Sequence, residues 1–279
     1  MISLLISVIL CVAAVTAGMV YQVGLGGVIF GGIAGLLIPQ FSIGFIVRKK
    51  IAAVQNELQE MLTNGQKQMS RKIQIFQTKP GGNIKQIQRQ IEGDQKMIIT
   101  KALEFTGRFE PFKKWSLLMG RQIATMRLQF HYQLKDFSAA DKLLATAGLF
   151  TGPMMMEPLV IAMKMARQYK SGDVAAAEKT FKSRVKWFRG NRGTLLYGLM
   201  SWIYMQQGES EKARMLLLKA KDITSDKTLA SNWELLSNNK DSAFSNAGLG
   251  EEWYSLYLEV PPLPKQQRMH GNAHGGRRF

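Results

Sequence analysis

Hydrophobic positions divide the chain into two regimes. From Met1 to Val47 they are nearly continuous, and no Asp, Glu, Lys or Arg occurs before Arg48. A membrane-crossing helix needs about 20 apolar residues at 1.5 Å rise per residue, so this stretch has room for two. They are expected at Ile2–Val20 and Gly24–Val47, with Tyr21 and Gln22 forming the turn at the interface. Downstream, apolar residues recur at three- and four-residue steps, the periodicity of amphipathic helices. One such series is Ile51, Val54, Leu58 and Met61, continuing loosely through Met69, Ile73 and Phe76, with Gly65 as a weak point. A second is Ile84, Ile87, Ile91 and Ile98, after a breaker at Thr78-Lys79-Pro80-Gly81-Gly82-Asn83. The two series predict an antiparallel hairpin over 48–109 beside the membrane segment 1–47. A short coiled coil between protomers fits the same pattern.

The charges that follow the apolar stretch set its orientation. Arg48, Lys49 and Lys50 stand directly after the second span, which by the positive-inside rule puts that end in the cytoplasm. With two spans, both termini and the bulk of the chain are then cytoplasmic, in a multi-pass membrane protein. The rival reading is a cleaved signal peptide, with Val15-Thr16-Ala17 as a small-residue cleavage site. Against it, the chain has no positively charged start, and a second span follows at once. In the second span Gly27, Gly31 and Gly35 are four residues apart, a side-chain-free ridge for close helix packing, with Gly24 and Gly32 nearby. Ala13, Ala14, Ala17 and Gly18 are its counterpart in the first span. The ridge fits packing within one hairpin or self-association between copies. Pro39 removes one helical hydrogen bond and is expected to kink the second span.

The formal net charge is +17, all of it beyond Val47. Anionic lipid, nucleic acid and acidic proteins are the partners such a balance favours. Between Arg48 and Asp136 there are 17 basic and 7 acidic residues, spread along helix faces rather than gathered in one tract. Cys11 is the only cysteine, which rules out intramolecular disulfides and Cys-ligated zinc, and His131, His270 and His274 lack metal-ligand spacing. No Walker-type phosphate loop, paired zinc-ligand motif or GxSxG elbow is present, so neither catalysis nor a cofactor is expected. Met154-Met155-Met156 follow a Gly-Pro turn and lead a helix, which suits core filling better than soft-metal binding.

Three later segments align. The first is Lys135-Asp136-Phe137 with Ala140, Leu144 and Ala147. The second is Gly172-Asp173-Val174 with Ala177, Phe181 and Arg184, and the third is Gly208-Glu209-Ser210 with Ala213, Leu217 and Ala220. Corresponding alanines stand 37 and 36 residues apart, a period typical of stacked helical hairpins. A polar or Gly turn reverses the chain, a small residue follows where two helices touch, and a large apolar residue comes one turn later. This resembles the tetratricopeptide repeat (TPR), in which turn glycine, small alanine and large apolar residue have the same offsets. Tyr204, Met200 and Tyr197 also match the third copy. The departures are Lys135 for the turn glycine, Arg184 for alanine, no proline at the usual place (Pro153 comes near), and periods longer than the family's 34.

The expected fold is all-α: two transmembrane helices and a helical hairpin from the apolar patterning, then, as the resemblance implies, an α-solenoid of about three TPR-like helix pairs over 110–226. Trp233, Leu235 and Leu236 in 228–238, and Trp253, Leu256 and Tyr257 in 250–259, predict capping helices over 227–260. Pro261-Pro262-Leu263-Pro264 ends them, and 261–279 is expected to be a disordered tail. In such repeats the first helix of each pair lines a groove, which puts Gln129, Tyr132 and Gln133, then Ala166, Tyr169 and Lys170, then Trp202, Met205 and Gln206 in the partner-binding position. His131 faces the hairpin partner and is expected to pack. The densest basic cluster is Lys179, Lys182, Arg184, Lys186, Arg189 and Arg192, either a solvated face or a site for an acidic protein, anionic lipid or nucleic acid. Few aromatics interleave it, which disfavours nucleic acid. The expected function is a non-catalytic, membrane-anchored scaffold that binds protein partners at the cytoplasmic face. The alternative is a self-associating membrane assembly factor whose basic faces meet anionic lipid.

Overall fold

The computed structural model describes residues 2–22, 24–78, 84–116, 118–145 and 157–261. Among these the chain is helical, without strands. It divides into two compact units, Met1–Val160 and Ile161–Phe279. The breaker Lys79–Asn83, Ala147, Pro153, Met154-Met155-Met156, His270, His274 and the tail from Pro262 lie outside the described residues.

In the first unit, α1 (Ile2–Val20) and α2 (Leu25–Thr78) pack side by side after a turn at Tyr21 and Gln22. At 54 residues, α2 is about 80 Å long. It runs unbroken through Pro39 and the basic flank, so the helix expected after Arg48 is the continuation of the apolar one. Among the described helices only α2 is long and apolar enough to cross a membrane, and α1 is a shorter apolar helix. Outside their contact both helices present bare apolar surface: Leu5, Ile9, Phe30, Ile33, Phe41 and Phe45 are each more than half exposed. No soluble fold leaves so contiguous an apolar surface in water without a use for it.

Beyond Arg48, α2 pairs with α3 (Ile84–Phe105). Leu58 from α2, Ile99 and Ala102 from α3, Phe109 from the 3-10 segment Thr106–Lys114, and Met119, Ile123 and Phe130 from α4 (Met119–Gln133) form one core. Gly65 has a purpose here: a Cβ on it would stand 2.9 Å from Ile98 Cδ1, so its bareness lets α3 approach. The boundary expected at 109–110 is corrected by this core, because Phe109 is fully buried within it. The division falls instead at 160–161, after the first helix pair, α4 with α5 (Phe137–Ala145). Arg108 with Glu57, and Lys72 with Asp94 at 2.5 Å, add surface ion pairs worth about 0–1 kcal/mol each.

The second unit contains α6 (Pro158–Lys170), most of which falls within it, α7 (Val174–Arg184), α8 (Thr194–Gln206), α9 (Ser210–Thr224) and α10 (Lys227–Ser237). Every residue of α8 from Leu195 to Tyr204 is buried, as befits a helix that contacts α7, α9, α10 and the short α11 (Glu251–Tyr254). The second capping helix expected over 250–259 shrinks to these four residues. After Tyr254 the chain turns, and Tyr257 adopts φ 54°, which no helix accommodates. A buried asparagine pair attaches the cap. Asn232 Nδ2 donates to Asn246 Oδ1 at 3.0 Å, and Asn246 Nδ2 donates to the Gly198 carbonyl on α8 at 2.7 Å.

Candidate functional site

The three aligned turns fold alike. Lys135, Gly172 and Gly208 take φ of 58°, 83° and 75°, and the amide after each reaches back five residues. Those bonds run from Asp136 to the His131 carbonyl, Asp173 to Gln168, and Glu209 to Tyr204, all at 2.9 Å. This is the Schellman closure of a helix, and the left-handed residue explains why glycine suits two of the three turns. Lys135 adopts the same conformation with a side chain attached. The alanine five residues on, Ala140, Ala177 or Ala213, is fully buried in each case, and Leu144, Phe181 and Leu217 are buried after it. Asp136 and Asp173 also cap the helices that follow, accepting from the Ala139 and Ala176 amides at 3.2 and 2.9 Å. The Ala139 amide and the Ser138 hydroxyl, with His131 Nδ1 3.1 Å away, hold the Asp136 carboxyl below its ordinary range. His131 thus braces its corner.

The predicted groove positions divide. In the first unit, Tyr132 is buried with its ring edge-on to Phe137 at 5.3 Å, so it belongs to the corner's core and not to a groove. Gln133 is exposed, and Gln129 is half-buried and donates to Glu157 at 2.7 Å. In the second unit, Lys170 and Gln206 are exposed, Tyr169 and Met205 half-buried, and Ala166 buried. Trp202 is the second correction, for the protein's own C-terminal segment covers it. Its indole N–H donates to Glu259 Oε1 at 2.6 Å, while the indole of fully buried Trp253 donates to Glu259 Oε2 at 2.7 Å. The two indoles meet edge to face at 5.7 Å, and Tyr169 also meets Trp202 edge to face, at 5.2 Å. The aromatic content at 253 had marked a cap, but nothing in the sequence singled out Glu259 as the residue that ties it down.

Between α7 and α8 the charges are organised around Glu178. It accepts from the Tyr204 hydroxyl at 3.0 Å and pairs with Lys182 at 2.6 Å. Lys182 chiefly holds its carboxyl below the ordinary range, and burial with Glu178 beside it pushes the Tyr204 phenol well up. Burial depresses the Lys164 ammonium, and Arg184, the residue that replaces the repeat's small alanine, adds to the effect.

In the apolar hairpin the close approach runs in antiparallel order. Gly18 meets Val28, Val15 meets Gly32, and Cys11 and Ala14 meet Gly35, where a Cβ would lie 3.0 Å from the Leu10 carbonyl oxygen. Ser7, buried, donates to Gln40 at 3.3 Å further along. Of the predicted ridge, Gly35 stands in this contact. Gly31 has nothing within 4 Å of a Cβ, and Gly27 is exposed. At 100° per residue the contacting face is centred between Gly32 and Gly35, and Gly31 and Gly27 turn away from it.

Compared with protein-family models, curated proteins and solved structures, the chain matches none.

Proposed function

We propose that the protein is a non-catalytic, membrane-anchored scaffold. Here α1 and the N-terminal part of α2 span the membrane as a hairpin, and the basic helical remainder binds protein partners at the cytoplasmic face as a TPR-like solenoid. The observation that carries the reading is the conjunction of two features. An apolar hairpin exposes its side chains all round, as a lipid-facing pair does, and a corner of one geometry recurs three times in the helices that follow. The Arg48-Lys49-Lys50 flank supports the cytoplasmic orientation. Support for partner contact comes from the last turns of the first helices, at exposed Gln133 in the first unit and at exposed Lys170 and Gln206 with half-buried Met205 in the second, since Tyr132 and Trp202 are enclosed. Gly24, Gly27 and Gly31 remain uncovered within one copy, which supports a second reading: self-association of hairpins through that face.

Photo-crosslinking amino acids at positions 170 and 206 of the full chain, in native membranes, test the scaffold reading. Discrete adducts that differ from those of a crosslinker at exposed Lys240 are expected. No adducts, or the same smear at all three positions, would remove the groove from the account.

A further inference from the structure

The second unit contains a cleft of about 430 Å³ lined by α7, the α7–α8 connection, α8 and α9, and none of the proposed groove positions lines it. It owes its existence to the long connection between α7 and α8. Two 3-10 turns, Val185–Trp187 and Gly190–Gly193, intervene there and account for a repeat period of 36 residues. Phe181, Phe188 and Tyr197, all buried, form the apolar floor. Lys182, Lys186, Arg189 and Lys219 form an exposed rim, and no carboxylate lines the cleft. Only Lys182 of these four has an ion pair among the described residues, to Glu178. Beside the rim Trp187 stands 52% exposed, with Lys186 Nζ 5.9 Å from its ring centre. From Lys179 to Gly208 the sequence has no acidic residue at all.

We infer that this face docks on the headgroups of anionic phospholipids, with Trp187 inserted at the interface and one headgroup phosphate seated in the cationic rim. Indole rings favour the polar–apolar boundary of a bilayer, and clustered Lys and Arg beside them are drawn to anionic lipid within a Debye length of about 8–10 Å. An exposed tryptophan beside Lys186, Arg189 and Lys219, with no carboxylate lining the cleft, combines the two features a lipid surface uses. The inference rests on the membrane-anchored reading, because the apolar hairpin keeps the bilayer at hand.

The test uses the full chain with Cys11→Ala and Trp187→Cys, the new thiol carrying a bimane probe, in nanodiscs of phosphatidylcholine alone or with phosphatidylglycerol. Spin-labelled lipid quenches the probe on contact. Quenching is expected in the anionic discs, falling by about half or more in 0.5 M salt and in Lys186→Glu/Arg189→Glu. In neutral discs it should be weak. Incorporation without quenching in anionic discs would overturn the inference while leaving the anchor intact, whereas failure to incorporate would overturn the anchor itself. Equal quenching in both disc types would also overturn it, because charge would then play no part. A fluorescein-labelled peptide of glutamates around one phenylalanine distinguishes the remaining occupant. Its binding to the rim in neutral discs, undisturbed by anionic lipid, would assign the cleft to a protein ligand instead.

Discussion

Glu259 offers the sharpest test of how the second unit closes. Its carboxylate takes both indole N–H groups, Trp202 at 2.6 Å and Trp253 at 2.7 Å, and both rings are buried. Glu259→Ala leaves two buried donors without their acceptor. Hydrogen bonds to a charged group are worth about 1.5–3 kcal/mol each. Glu259 is itself only half-buried, so water replaces part of the loss and the net cost is about 2–4 kcal/mol. Glu259→Gln keeps one acceptor oxygen but turns an amide N–H₂ towards the other indole, for about half that cost. Melts of the full chain in detergent, followed by near-ultraviolet circular dichroism from the aromatic cluster, should show the midpoint falling by about 10 °C in Glu259→Ala and less in Glu259→Gln. An unchanged midpoint in Glu259→Ala would refute the clamp and leave Trp202 available to a partner.

The other predictions follow from packing and titration. Ala213→Leu and Ala177→Leu insert bulk at fully buried corners and should each cost about 1–3 kcal/mol in thermal melts; tolerance of both would refute the corner geometry. Gly35→Leu should disrupt the apolar hairpin, with poor insertion or degradation in membrane fractions, whereas Gly31→Leu should insert and persist because its surroundings are open. Equal behaviour of the two would contradict the observed register. Because the Glu178 carboxyl is held below its ordinary value of 4.5, its contribution to stability is present above that value and is lost as pH falls through the depressed one. Glu178→Gln should therefore flatten the acid limb of a stability–pH profile, and an unaltered acid limb would show that the Lys182 pair contributes little.

Much of this fold was legible where the signal is local. The apolar stretch before Arg48 and the Lys135, Gly172 and Gly208 corners depend on nearby residues; α1 forms over the expected Ile2–Val20, and α2 starts one residue from its expected place but runs on to Thr78, well past Val47. What escaped the sequence depends on contacts distant along the chain. Gly65 read as a weakness because its use appears only when Ile98, thirty-three positions away, packs onto it. The ridge was placed on Gly27, Gly31 and Gly35 by spacing alone, but the facing helix selects Gly32 and Gly35. Trp202 and Tyr132 were put in a groove by analogy of position, which carries no information about a C-terminal segment folding back or about Phe137. Asn232, Asn246 and Glu259 are ordinary polar residues in sequence and become anchors only once buried against α8 or the tryptophans.

The central claim is that a two-span hairpin holds a cytoplasmic helical domain, and cysteine accessibility tests it directly. Cys11 is the only native cysteine, so Cys11→Ala gives a clean background for single thiols at Gln22, in the turn, and at exposed Lys240, in the cap. Spheroplasts of a bacterial host expressing each variant are treated with a membrane-impermeant maleimide before or after lysis. The account predicts labelling of Gln22→Cys from outside and of Lys240→Cys only after lysis. Labelling of Lys240→Cys in intact spheroplasts, or protection of Gln22→Cys until lysis, would contradict it.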